Sequence, residues 1–345
     1  MKKEINYSIA IIFFLVISII MLPKLFPLID EKIFTQNYRI PYYAGEDYFL
    51  FKKYAKFLSQ IDSIPLLGDS VIWGHYVHEE ESLSGELNLL SQKNFRNAGI
   101  DGVHPAAMNG LVEYFAGAIK NKKVIIGINL LWMSSRRHDL SGEQNNEINH
   151  KILLPQFLEK IPAYQPTIEE RLSSAIKKNF EFLLWADHIK ISKFNSSNLY
   201  QWTMENPQKN IIEFFKPEEK KFMPPESITP RGLTIQDIQW VDMEASLQWR
   251  FILKTIKILQ DRNNKLLAII TPFNEHMMSA SSIKKMDSIT KAIKEELKRK
   301  DIEVIDSPML LPEEFADSSH PTAKGYEKIA KYLISNKSFL KFIER

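Results

Sequence analysis

The chain has 345 residues, 44% hydrophobic and 25% charged, the balance of a globular protein rather than a disordered or fibrous one. A net charge of +3 is too small to mark a nucleic-acid binder or a protein built for acidic substrates. The absence of cysteine excludes disulfides, thiolate metal sites and a cysteine nucleophile.

Lys2 and Lys3 precede an almost wholly apolar run, Tyr7 to Leu22; Pro23-Lys24 interrupts it, and Leu25 to Ile29 resumes it. The uninterrupted run falls short of the roughly 20 residues of a full span, but counting to Ile29 reaches them, with Lys24 able to snorkel. The leading lysines favour a cytoplasmic amino terminus, and no small-x-small pair marks a cleavage site. Residues 1–29 are therefore read as a signal anchor, with everything after about residue 30 outside the cytoplasmic membrane; a buried N-terminal helix is the disfavoured alternative. Residues 30–47 hold aromatics and Pro41 without a clear period and read as a linker. Residues 48–345 read as one domain.

Tyr48 to Ile61 places Phe49, Leu50, Tyr54, Phe57 and Leu58 at helical spacing. Ile64 to Leu67 then runs as a buried strand into Gly68-Asp69-Ser70, a tight turn before a helix. Glu79-Glu80-Glu81 with Leu83, Leu87 and Leu90 begins another helix. His75 and His78 could be paired as metal ligands, but the solvated-face reading is preferred and no metal or cofactor is expected. Phe95 to Ala98 is a short strand leading to Asn97-Ala98-Gly99-Ile100-Asp101-Gly102. A helix over Ala106 to Lys120 follows Pro105, and His104 either caps it, is exposed or lines a pocket. Lys123 to Asn129 is a strand buried on both faces. Trp132 follows as a pocket wall or as core packing, and Arg136 and Arg137 bind an anion or are solvated. Further strands are expected over Lys265 to Thr271 and Ile302 to Ile305. Helices are expected over Met243–Gln260, Ile283–Lys300 and Thr322–Ile334. The alternation predicts an α/β protein, a flavodoxin-like three-layer α/β/α sandwich on a parallel sheet. Residues 141–239 carry a helical stretch, Thr167–Trp185, and many prolines. They read as an insertion packed over the active-site end, where Trp185, Tyr200, Trp202 and Trp240 either stack on sugar rings or simply pack.

The chemistry-bearing residues fall in the turns after these strands. A serine at a strand-to-helix turn exposes its hydroxyl beside free N–H groups, which can hold the oxyanion its attack creates. Asp317-Ser318-Ser319-His320 supplies a base and a group to fix its tautomer, unless it is only a helix cap. A glycine N–H near Gly99–Gly102 and the amide of Asn129, which ends Gly127-Ile128-Asn129, are suitable oxyanion donors.

In this order of blocks the chain resembles the SGNH, or GDSL-type, hydrolase family over roughly residues 64–135 and 300–335. The resemblance implies Ser70 as nucleophile, His320 as general base and acid, and Asp317 as the group orienting His320. It implies an oxyanion hole from the N–H of Ser70, the N–H of Gly102 and the amide of Asn129, with Gly99 the competing glycine. The family commonly has Asp after the third-block Asn, where this chain has Leu130. The expected activity is a membrane-anchored extracytoplasmic serine esterase acting on acyl, including acetyl, esters of envelope glycan or lipid. An O-acyltransferase of envelope polysaccharide, fed by a membrane acyl-donor partner, is the first alternative. A non-catalytic binding module of the same fold is the second. No nucleic-acid partner is expected.

Overall fold

The computed structural model describes residues 2–26, 29–143, 147–194, 196–197, 199–208, 222–227 and 234–344. The predicted insertion's Pro217 and Pro230, and the anchor's Pro27 and Leu28, lie outside the described residues.

Five strands, β1 (Ile64–Leu67), β2 (Phe95–Asn97), β3 (Lys123–Ile128), β4 (Lys265–Ile270) and β5 (Glu303–Asp306), form one parallel sheet in the order β2-β1-β3-β4-β5. The helices in chain order are α1 (Lys2–Leu25), α2 (Tyr48–Gln60), α3 (Ser70–Trp73), α4 (Leu83–Leu90), α5 (Pro105–Tyr114) and α6 (Ile168–Asn179). They continue with α7 (Glu181–Phe194), α8 (Leu199–Glu205), α9 (Leu247–Asp261), α10 (Ala280–Lys298), α11 (Ala323–Ser335) and α12 (Lys337–Glu344).

Alternate strand residues feed two cores. Leu67, Val124, Ile126, Ile128, Leu266, Ala268 and Ile270 pack with α2, α5, α9 and α10, while Leu66, Ile125, Leu267, Ile269 and Ile305 pack with α4, α11 and α12. Side chains alternate along a strand, so an unbroken Val/Ile/Leu run buries both faces and requires a helix layer on each. This is the predicted three-layer sandwich. The order in which strands are added reverses between β1 and β3, and in such sheets the crevice at that switch, beyond the carboxyl ends of the strands, is where ligands bind.

Several boundaries depart from expectation. The first helix continues through Pro23, whose ring sits within the last turn and is buried, and stops at Leu25. A proline there forfeits the N–H bond that would reach the Ile19 carbonyl, while the ladder resumes after it with the Phe26 N–H donating to the Leu22 carbonyl at 2.9 Å. The helix over Ala106–Lys120 closes early, at Tyr114, with Phe115 leaving helical dihedrals. The single helix expected over 167–185 is two, broken at Phe180, whose extended backbone turns the chain.

Residues 30–47, read as a linker, are a packed strap. Phe34, Tyr38, Arg39, Ile40 and Asp47 are buried. Arg39 is 2% exposed and donates to the carbonyls of Trp73 (2.8 Å), Gly74 (2.7 Å) and Val77 (2.9 Å). Its guanidinium lies 3.9 Å from the Trp73 ring centroid, and the Trp73 indole donates to the Ile40 carbonyl at 2.7 Å. Burial lowers its pKa to about 10, against the opposing pull of Glu79. The weak period of this stretch reflects its job: it follows the surface of α3 rather than a helical or strand face.

The insertion is not one cap. Its first part joins the body, with Leu140, Ile148, Leu154, Ile161 and Tyr164 packed on Ala106, Leu247 and Phe251. Helix α7 then packs on α2 and on the end of α1: His188 meets Asp47 at 2.7 Å, and the Trp185 indole donates to the Phe26 carbonyl at 2.7 Å. Trp202 packs edge-on against Phe194, Trp240 against Phe273, and Tyr200 is exposed. A short piece, Phe222–Ser227, reaches the active-site end. Phe222 packs on Trp73 and Tyr42, and the Ser227 hydroxyl donates to the Ala316 carbonyl at 3.1 Å.

Arg39→Ala removes three charge-assisted hydrogen bonds to buried carbonyls and is expected to cost about 3 kcal/mol or more of unfolding free energy. Arg39→Lys recovers only part, because an ammonium lacks the planar fork. Leu158→Ser, at a fully exposed side chain, should stay within about 0.5 kcal/mol of wild type. Urea titration of the detergent-solubilised chain measures all three.

Candidate active site

Strand β1 ends at Gly68, where an added Cβ would lie 2.3 Å from Ile72 Cγ1, so the turn into α3 can be this tight only with glycine. Asp69 caps α3, its Oδ1 accepting from the Val71 N–H at 3.0 Å. Ser70 is the first helical residue, so its N–H has no acceptor within the helix.

The imidazole that meets Ser70, His320, arrives from the far end of the chain. The loop between β5 and α11 is pinned from two sides. Asn274, wholly buried, accepts no such loop freedom: its backbone N–H donates to the Ser318 carbonyl at 2.8 Å and its amide to the Asp317 carbonyl at 3.1 Å. Within the loop the Asp317 carboxylate accepts the N–H groups of Ser319 and His320, both at 2.9 Å. It also accepts from His320 Nδ1 at 2.8 Å, while His320 Nε2 lies 2.7 Å from Ser70 Oγ. A carboxylate only accepts, so Nδ1 carries the proton and Nε2 offers its lone pair to the serine hydroxyl. Burial pushes the His320 imidazole down, but the hydrogen bond and charge of Asp317, helped by Asp69 and Asp101, outweigh it and hold the pKa above its ordinary value. Burial pushes the Asp317 carboxyl up, and the His320 contact with the two backbone donors outweighs that, leaving it below the usual range.

The predicted oxyanion donors are resolved differently. Gly99 lies against α3, with its Cβ position 2.7 Å from the Trp73 nitrogen, and its own N–H is taken by the Asn97 side chain at 3.1 Å. Gly102 sits at φ +72°, where a side chain would be strained and would meet Asn149 at 2.9 Å. Its N–H has no protein acceptor among the described residues. Of the two candidates, Gly102 is the one with a donor to offer.

Asn129 is partly committed. Its Nδ2 donates to Asp69 Oδ2 at 2.8 Å, leaving one of its two amide hydrogens, and its Oδ1 accepts from the Leu131 N–H at 2.9 Å. With Leu130 after it, the chain enters a 3₁₀ turn, Leu130–Met133, that brings the Trp132 indole to the same Asp69 oxygen at 2.7 Å. Trp132 is thus a half-buried wall tied to the base of the nucleophile turn. Burial raises the Asp69 pKa against the pull of these donors.

His104 is buried and caps α5, accepting from the Ala107 N–H at 3.4 Å, with its ring 5.8 Å from that of Trp132. Burial drops its pKa to about 3, so it stays neutral. Arg136, Arg137 and His78 are exposed. Among the described residues no group of three or more metal-ligating side chains comes together.

Three site residues received no role from sequence. Asp69 lies inside the nucleophile motif, and its place before a helix start was a legible capping signal. Asp101 meets His75 Nδ1 at 2.6 Å, and the Tyr76 ring lies 5.5 Å from that of His320. Burial first, then Asp317, pushes the Tyr76 hydroxyl up to about 12. No local pattern announces these last contacts.

Asp69→Asn turns an acceptor oxygen into a donor facing Asn129 and Trp132. It is expected to lower unfolding free energy by about 1–3 kcal/mol, measured by denaturant titration.

No family model and no curated protein matches this chain. Among solved structures, a member of the lipolytic G-D-S-L family from Veillonella parvula aligns over 80% of this chain and 98% of its own, at 13% identity and a TM-score of 0.41. A structure from Desulfitobacterium hafniense, described within the same G-D-S-L family, aligns over 79% of this chain and 97% of its own, at 11% identity and a TM-score of 0.37.

Proposed function

We propose that the chain is a serine esterase of SGNH/GDSL type, with Ser70, His320 and Asp317 as its triad. The observation that carries this reading is the continuous hydrogen-bond path from Ser70 Oγ through both nitrogens of His320 to Asp317. A cap at α11 would need Asp317 alone; it would not need an imidazole aimed at a serine.

In this mechanism Ser70 Oγ attacks the ester carbonyl while its proton passes to His320 Nε2. The N–H groups of Ser70 and Gly102 and the remaining amide hydrogen of Asn129 take the oxyanion. As the tetrahedral adduct collapses, the ester C–O bond breaks and His320 returns the proton to the leaving alcohol. Water, deprotonated by His320, then attacks the acyl-enzyme and releases the acid. Asp317 holds the tautomer and offsets the imidazolium charge. Two backbone donors, the N–H groups of Ser319 and His320, hold Asp317 in turn.

The domain is proposed to act outside the cytoplasmic membrane on acyl esters of envelope glycan or lipid. Tyr7–Leu25, with a mean hydropathy of 2.5, is long and apolar enough to cross a bilayer, and its side chains face away from the body. Protease added to spheroplasts, which exposes a periplasmic or an extracellular domain alike, should digest the domain if this side is right and spare it if the domain faces the cytoplasm.

Ser70→Ala should lower hydrolysis of p-nitrophenyl acetate by three or more orders of magnitude; a drop under tenfold overturns the serine mechanism. Since His320 works as the free base and its pKa is raised, kcat/KM should climb with pH through a midpoint above about 6.5. Asp317→Asn removes the main raising influence, so the midpoint should move down as the rate falls. Adding a sugar acceptor and looking for acylated sugar separates hydrolysis from transfer.

A further inference from the structure

Beside the triad stands a second histidine–aspartate pair that the mechanism leaves unused. His75 follows directly on α3, its backbone N–H donating to the Ser70 carbonyl at 3.2 Å. Its Nδ1 lies 2.6 Å from Asp101 Oδ1, and its ring centroid is 5.5 Å from that of His320. Tyr76 places its ring at the same distance, 5.5 Å, from His320. Both members of the pair are partly open, with side-chain exposures of 23% for His75 and 19% for Asp101. The exposed ring of Tyr42 adjoins His75 at 6.0 Å.

The Asp101 carboxylate fixes the tautomer, so Nδ1 carries the proton and Nε2 is left as a lone pair in the neutral ring. Nε2 has no protein partner among the described residues. Within the proposed reaction the three directions around the ester carbon are allotted. The oxyanion faces Ser70 N–H, Gly102 and Asn129, the acyl group lies away from both, and the leaving oxygen must sit at His320 Nε2, which protonates it. Groups flanking the His320 ring therefore flank the alcohol. An apolar alcohol would desolvate the His75 imidazole and leave its Nε2 without a partner, at a cost. An alcohol with neighbouring hydroxyls would supply that partner, and an aromatic ring such as Tyr42 suits the apolar face of such a molecule.

We propose that His75 and Asp101 form the alcohol subsite of this enzyme, and that the alcohol is polyhydroxylated, with a hydroxyl vicinal to the ester oxygen bonding to His75 Nε2. His75 contacts the substrate; Asp101 acts through it as a positioning residue. The proposal rests on the serine esterase reading above.

The test compares isosteric esters on the full-length protein in detergent: glycerol 1-acetate against propyl acetate, which lacks only the two hydroxyls. Wild type should prefer the glycerol ester by about tenfold or more in kcat/KM. His75→Phe, which keeps a ring but no acceptor, and Asp101→Asn should each bring the ratio towards one, through the glycerol ester and mainly in KM. A structural role would lower both esters together and leave the ratio unchanged. A ratio near one in wild type, or one that both variants leave intact, overturns the subsite while Ser70-dependent turnover keeps the esterase reading. Absence of Ser70-dependent turnover on both esters overturns the two together. A methyl glucoside 3-acetate arm, which keeps hydroxyls vicinal to the ester, separates a sugar from a glyceride, the better substrate naming the class.

Discussion

The hydrogen bond between Ser70 and His320 joins residues 250 positions apart, and most of the molecule exists to make that 2.7 Å contact reproducible. Neither partner is placed by its own loop alone. Ser70 inherits its position from β1, and His320 from a loop clamped by Asn274 beyond β4 and closed by the Ala316 N–H to the His320 carbonyl at 2.7 Å. Between them lie β3 and β4, paired residue for residue from Lys123↔Lys265 to Ile128↔Ile270. A slip of one residue in that register would turn the core faces over, so burial on both sides locks it. The precision of the polar contact is borrowed from apolar packing.

A second constraint acts from below. Helix α3 has only four residues, too few to hold itself together by its own hydrogen bonds. Arg39 supplies what is missing by binding the carbonyls at its end, and Asp69 does the same at its start. Asp69 also ties the turn after β3 to the turn after β1 through Asn129 and Trp132. His150, in the first part of the insertion, donates from Nε2 to the Asp101 carbonyl at 3.1 Å and accepts from the Tyr48 hydroxyl at 2.9 Å. This first part of the insertion thus supports the Gly102 turn from behind.

Electrostatically the site gathers acids around imidazoles: Asp69, Asp101 and Asp317 all favour a charged His320. Such a field suits a base that must carry a proton between attack and collapse, since the imidazolium is the species that forms in between. The cost is an imidazole that stays protonated, and so unable to accept a proton, up to a higher pH than an ordinary one. The buried His104, by contrast, is held neutral by desolvation and serves as a cap.

The sequence by itself determined the layers and the order of the site. Apolar runs of four to six residues between amphipathic stretches read as buried strands of a parallel sheet; the Gly-Asp-Ser turn and Asn129 each follow one, and Asp317-x-x-His320 lies in the loop between β5 and α11. These signals are local, repeating with the period of the element that carries them. What the tertiary structure decided has no period. It engaged the Gly99 N–H with the Asn97 side chain and left the Gly102 N–H without a protein acceptor among the described residues. It made the segment 30–47 a packed strap, because Arg39 finds its carbonyls 34 to 38 residues away. It paired His75 with Asp101 across 26 residues. Hydrogen bonds between single side chains are satisfied wherever the fold happens to bring a partner, and only the folded chain fixes where that is.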